Sequence, residues 1–224
     1  MDLLNREQNF MFKSTINSLT TLKFKIMKKI TLVVSALLML AFVSVNDLAA
    51  QNYSVDTKAT TVNWLGEKVT GEHNGTINLK SGNLEMKDAK IKSGTFVMDM
   101  NSIVCLDLTD PEYNGKLVGH LKSDDFFGVA DHPTATLVVT STESFSKGFA
   151  TVKGNLTIKG ITQPVEFKAT MSEDPEGLRF FANITIDRSK FNVKYGSGSF
   201  FDNLGDKTIY DEFKLKVNLL AKKS

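Results

Sequence analysis

The chain has 224 residues, 42% of them hydrophobic, with 27 Lys and Arg against 25 Asp and Glu and a formal net charge of +2. Residues 1–50 hold six of the basic and three of the acidic side chains, leaving 21 against 22 beyond them, so a nucleic-acid partner loses its electrostatic argument. The single cysteine, Cys105, excludes an internal disulfide, and a lone thiol between Val104 and Leu106 reads as packing rather than as a nucleophile.

The first segment is unlike the rest. Met27-Lys28-Lys29 is basic, Ile30 to Val45 is a nearly unbroken apolar run, and Leu48-Ala49-Ala50 offers small residues for cleavage, which is the layout of a secretory signal peptide. A retained membrane anchor is the alternative, although the run is short for a spanning helix. Residues 1–26 then read as an over-long gene start, 27–50 as the signal peptide and 51–224 as one domain large enough for its own core. The expected location is the periplasm.

From Tyr53 onward, short runs with a period of two alternate with turn signals, the pattern of antiparallel strands with one wet face. Val62 and Trp64 share a face, and Val69, Gly71, His73, Gly75, Ile77 and Leu79 share the next. Lys80-Ser81-Gly82-Asn83 predicts a turn, followed by strands carrying Leu84 and Met86, then Phe96, Met98 and Met100. Asp110-Pro111 is a helix start, with Leu117, Val118 and Leu121 as a short apolar stripe. Four strands close the chain: Ala150, Val152, Leu156 and Ile158; Val165, Phe167, Ala169 and Met171; Phe180, Ala182, Ile184 and Ile186; Phe213, Leu215, Val217 and Leu219. Turns are expected at Gly160 to Pro164 and at Asp174 to Gly177, with Pro164 at a strand start where its missing N–H is tolerated.

Three motifs then fall in order: Gly119-His120-Leu121-Lys122-Ser123-Asp124-Asp125-Phe126-Phe127, Gly154 to Val165, and Ile186-Asp187-Arg188-Ser189-Lys190-Phe191-Asn192-Val193. Over about Tyr53 to Leu220 the chain resembles the YceI-like family. The resemblance implies an all-β fold, an extended antiparallel lipocalin-like β-barrel with a short helix near one mouth. It also implies a bound isoprenoid lipid of quinone or polyprenyl type, with no covalent cofactor. Two stretches depart from the family pattern. Lys58 to Trp64 lacks the usual His-Ser pair, and Leu117-Val118-Gly119 stands where an Arg-Asp commonly precedes His-Leu, so head-group contacts from those positions do not carry over.

Alternation and resemblance together assign an apolar lining to Trp64, Ile77, Phe96 and Met98, to Phe126 and Phe127, to Leu137, Val139, Leu156 and Ile158, and to Phe167, Phe180, Ala182 and Ile184. Phe126-Phe127 and Phe200-Phe201 are expected either to pack the core or to line a lipid entrance. His73, flanked by Gly71 and Gly75, is either a head-group contact at a mouth or a histidine satisfied by a neighbour. His120, at helical spacing from Asp124, is either a second head-group contact or half of a local hydrogen bond. His132 before Pro133 reads as structural.

Three histidines without a His-x-His or His-Glu-x-x-His pair give no metal motif, and Gly196-Ser197-Gly198-Ser199 is neither a nucleophile elbow nor a nucleotide fingerprint. The expected function is binding, not catalysis: carriage or sequestration of an isoprenoid lipid, with transient membrane contact and dimerisation both compatible. The alternatives are an envelope barrel filled by its own side chains, and an enzyme acting on a small apolar substrate.

Overall fold

A computed structural model describes residues 50–224. The segments assigned to the gene start and the signal peptide lie outside the described residues, apart from Ala50. Among the described residues no helix is long and apolar enough to cross a membrane.

Nine strands form one antiparallel sheet: β1 (Gln51–Val55), β2 (Thr61–Lys68), β3 (Gly71–Lys87), β4 (Lys90–Cys105), β5 (Thr134–Thr142), β6 (Phe149–Ile158), β7 (Ile161–Asp174), β8 (Gly177–Asp187) and β9 (Ile209–Lys223). The order β1-β3-β2-β9-β8-β7-β6-β5-β4 closes on itself because β4 also pairs β3 and β1 also pairs β9. β1 and β2 occupy the same slot. β1 lies between Asn83–Met86 of β3 and Ala221–Lys223 of β9, while β2 lies between Gly71–Thr76 and Ile209–Asn218. The result is an eight-stranded barrel with one stave in two pieces, which removes the exposed edges of an open sheet except along residues 161–168 of β7.

Alternation explains which residues point inward. In β6, Ala150, Val152, Leu156 and Ile158 are buried, while Lys153 and Asn155 between them are exposed. The turn expected at Lys80-Ser81-Gly82-Asn83 is instead the middle of a 17-residue strand, β3. A register shift between Leu79 and Ser81 changes the parity there: Gly75, Ile77 and Leu79 are buried before it, Leu84 and Met86 after it. A bulge and a turn share their polar, glycine-bearing composition, and the bulge lets a long strand bend around a closed barrel. Val69 does not join the inward face of β3. It sits in the β2–β3 turn and is 48% exposed.

The β6–β7 turn is tighter than expected. Lys159 and Gly160 both have positive φ, 50° and 73°, as a two-residue hairpin turn requires, and β7 begins at Ile161. Pro164 is therefore the fourth residue of its strand. It is tolerated because β7 pairs with β8 only from Ala169 to Asp174, leaving residues 161–168 bonded to β6 alone.

The helix, α1 (Pro111–Lys122), starts as its sequence dictates. Asp110 accepts bonds from the Glu112 and Tyr113 amides, and Pro111 fills the first turn. α1 packs against β4. Two apolar clusters line the barrel interior. One, around Tyr53, Leu84, Phe145 and Phe180, occupies the end where β1 lies. The other, around Val62, Ile103, Phe126 and Phe191, occupies the end nearer α1.

Candidate functional site

Two adjoining cavities run through the barrel. The one nearer α1 has a volume of about 190 Å³ and the other about 130 Å³. Val62, Met98, Leu156, Ile186 and Leu215 line both, so the two chambers share a wall. The distal chamber ends near Phe180, whose ring meets that of Phe145 edge to face at 5.7 Å. Phe145 is 2% exposed and belongs to the apolar cluster at the end where β1 lies.

Every residue assigned to the apolar lining stands on one of these walls. Trp64, Ile77, Phe126, Phe127 and Ile158 line the chamber nearer α1; Phe96, Leu137, Val139, Phe167, Phe180, Ala182 and Ile184 line the distal one; Met98 and Leu156 touch both. His73 and His120 also face the first chamber. Phe200 and Phe201 do neither of the things expected of them: they are 42% and 49% exposed and line neither cavity. They lie in the loop between β8 and β9, where the Lys194 ammonium sits 5.2 Å from the Phe200 ring.

Polar groups gather at one end. Glu67, Lys68, His73 and Glu212 line the chamber nearer α1, and Lys214 Nζ donates to Glu67 at 2.7 Å. That hydrogen bond raises the Lys214 ammonium above its ordinary value. His73 Nδ1 lies 2.7 Å from Asp107 Oδ2. Burial pushes the Asp107 carboxyl up, but bonds from the Asn74 amide, His73 and Cys105 outweigh it and hold the group down to about 2. Asp107 is thus an ionised acceptor and His73 Nδ1 carries the proton. Of the two alternatives for His73, the structure supplies the satisfying neighbour, Asp107, and places the ring on the wall of the chamber nearer α1.

His120 makes no bond to Asp124, because α1 stops at Lys122 and Asp124 lies beyond its face. Its ring packs edge to face on Tyr195 at 4.3 Å and Phe126 at 5.5 Å. His132 lies in the loop before β5, where its amide donates to Gly128 O at 2.8 Å.

Sequence reasoning passed over Arg188, which lines the first chamber yet is 2% exposed. Its guanidinium donates to the carbonyls of Val193 at 2.7 Å, Ile209 at 2.9 Å and Tyr210 at 3.1 Å, and lies 5.4 Å from the Phe126 ring. Burial lowers its pKa, opposed by the Asp211 and Asp187 carboxylates. Its place inside a family motif was the available signal. Asp107 was also missed, because it joins His73 across strands and not along the sequence.

A closed antiparallel barrel with apolar chambers and a polar rim at one end defines the lipocalin-like class of binding folds. The YceI-like domain family matches residues 53–221, and the chain belongs to that family. UPF0312 proteins of Pseudomonas putida and Pseudomonas fluorescens are 40% and 38% identical to it over 81 residues, covering 34% of this chain and 42% of theirs. The match thus spans less than half the length of these relatives. Burkholderia cenocepacia BcnA superposes with a TM-score of 0.58 at 26% identity, covering 74% of this chain and 98% of that one. A polyisoprenoid binding domain from Saccharophagus degradans shares the fold with a TM-score of 0.55 at 15% identity, covering 77% and 98%.

Proposed function

We propose that the barrel binds an isoprenoid lipid, of quinone or polyprenyl type, with the tail in the two chambers and the head group at the rim near His73 and His120. The observation that carries this reading is the run of apolar chambers along the barrel, bordered by Glu67, His73 and Glu212 at one end. Such a chamber gains affinity by burying hydrocarbon. Each CH₂ is worth roughly 0.8 kcal/mol, so one five-carbon unit contributes about 4 kcal/mol gross. A few units outweigh an association cost of about 4–15 kcal/mol. The Saccharophagus relative, described as polyisoprenoid-binding, supports the ligand class.

The protein on this reading is a carrier or sequestering protein of the periplasm, and not an enzyme. Native mass spectrometry of detergent-free protein from an envelope fraction tests it. A co-purifying isoprenoid mass is the expected result. A stable barrel with no lipid, and none taken up from added quinone, would favour the alternative of a structural envelope protein. N-terminal sequencing of the same sample should find Gln51, or a residue close to it, as the first residue.

A further inference from the structure

Among the described residues one group of metal-ligating side chains converges: His73, Cys105 and Asp107, whose donor atoms lie within 4.8 Å of one another. The β3–β4 ladder builds the group. Gly75 stands opposite Cys105, and the Leu106 amide continues the ladder to Asn74 O at 2.9 Å, which sets His73 across from Asp107. With a strand period of two, positions 73, 75, 105 and 107 form the corners of one cross-strand square. Three corners carry donors, and the fourth is a glycine that must stay one. A Cβ on Gly75 would lie 1.8 Å from the Val104 carbonyl oxygen and 2.7 Å from the Trp64 ring.

We propose that His73 Nδ1, Cys105 Sγ and the Asp107 carboxylate bind a single Zn²⁺ beside the chamber that His73 lines, leaving a fourth position for water. Imidazole, thiolate and carboxylate are all zinc donors, and three protein ligands with one place open is the arrangement of reactive rather than structural zinc. The thiolate disfavours Mg²⁺ and Ca²⁺, which take oxygen ligands. The site does not depend on the barrel carrying lipid.

The distances are close to what zinc needs. Bonds of about 2.0–2.3 Å set tetrahedral donors roughly 3.3–3.8 Å apart. Cys105 Sγ is already 3.3 Å from Asp107 Oδ1. His73 Nδ1 and Asp107 Oδ2, at 2.7 Å, have to separate by roughly half an ångström. Their side chains are 31% and 27% exposed, so both have room to turn. Meanwhile the Asn74 amide, 2.8 Å from Asp107 Oδ1, steadies the carboxylate.

Protons balance simply. Asp107 enters as a carboxylate. A neutral His73 exchanges its Nδ1 proton for one on Nε2, which changes the tautomer and not the charge. Cys105 loses its thiol proton to solvent, so one Zn²⁺ displaces one proton.

Cobalt(II) is the probe, added to metal-free full-chain protein with its thiol kept reduced by a phosphine, followed by displacement with Zn²⁺. The expected result is one equivalent bound, a near-ultraviolet thiolate-to-cobalt absorption that zinc abolishes, and one proton released per ion at neutral pH. Cys105→Ser should remove the absorption. His73→Gln and Asp107→Asn, at partly exposed positions, should each weaken zinc binding by at least about 10-fold, with circular dichroism and Tm confirming that each variant is folded. No thiolate absorption from folded wild-type protein overturns the site, and so does absorption that survives in Cys105→Ser. Undiminished affinity in both other variants reduces it to a thiol adduct and overturns it equally.

Discussion

Ala169 stands opposite Ala182, and no pair follows it: below this point β7 and β8 run together to Asp174 and Gly177, and above it they part. Residues 161–168 keep their ladder to β6, residues 183–187 keep theirs to β9, and one side-chain bond, Gln163 Nε2 to Lys190 O at 3.2 Å, ties the far end. The barrel wall is therefore weakest beside Val165, Phe167 and Ile184, which line the distal chamber.

Local opening follows missing ladder bonds. Hydrogen exchange should find the Glu166 and Lys168 amides, which point away from β6 where β8 has parted, less protected than the Thr170 amide, which points to β8 in the paired stretch. Equal protection would show that the two strands zip together in solution.

Ligand binding should be sensitive to bulk inside the barrel and indifferent to charge outside it. Ala182 lines the distal chamber, whereas Lys168 is exposed on the outer face. Ala182→Trp should displace the co-purifying lipid, and Lys168→Glu should leave it bound. Equal loss from both folded variants would remove the chamber from the binding reaction.

The barrel was legible in the sequence wherever strands alternate without interruption. The faces of β6, β7, β8 and β9 follow from period two alone, and so does the apolar lining they carry. β3 was harder, because a bulge at Leu79–Ser81 and a turn call for similar residues, and only pairing with β4 tells them apart. The rim was least legible. His73 and Asp107 are 34 residues apart, and nothing local announces that strand pairing makes them neighbours. Phe200 and Phe201 mislead for a related reason: apolar character predicts burial on average, yet a loop outside the barrel has no core to offer them.

His73→Leu separates two contributions. Asp107 keeps its bonds from the Asn74 amide and Cys105, and the lost pair is partly exposed, so stability should fall by no more than about 1 kcal/mol. If His73 contacts the head group, the ratio of affinities for a quinone and a plain hydrocarbon sharing one tail length should fall, with tail affinity retained. An unchanged ratio would take His73 out of the ligand's reach.

Acid should loosen the seam where β1 gives way to β2. Asp56 pairs with Lys222 of β9 at 2.8 Å and accepts the Lys58 and Ala59 amides at 3.0 and 3.1 Å. The Lys222 hydrogen bond first, then the Ala59 amide, lower its carboxyl from 3.8 to about 2. A carboxyl depressed in the folded state adds stability that is complete above its unfolded pKa and is lost as pH falls through the folded one. Tm should therefore drop between about pH 4 and about pH 2, and Asp56→Asn should flatten that drop while lowering Tm at neutral pH. An identical acid slope in the variant would assign the loss to other carboxylates, Asp107 first among them.

Arg188 is buried, 2% exposed, outside the lining made by the strands. It gathers the Val193, Ile209 and Tyr210 carbonyls at 2.7–3.1 Å and so fastens the start of β9 to the turn that follows β8. Asp211 Oδ1 lies 3.5 Å away with no hydrogen-bond partner of its own. Arg188→Leu would leave three carbonyls without their shared donor and the Asp211 carboxylate without its facing cation, which should cost about 3–5 kcal/mol. Arg188→Lys keeps the charge but not the planar fork and should recover only part of that. Urea unfolding with an unchanged m-value gives the measurement. A loss below about 1 kcal/mol for Arg188→Leu would mean that water replaces the guanidinium at these carbonyls, and that the β8–β9 loop holds its place without it.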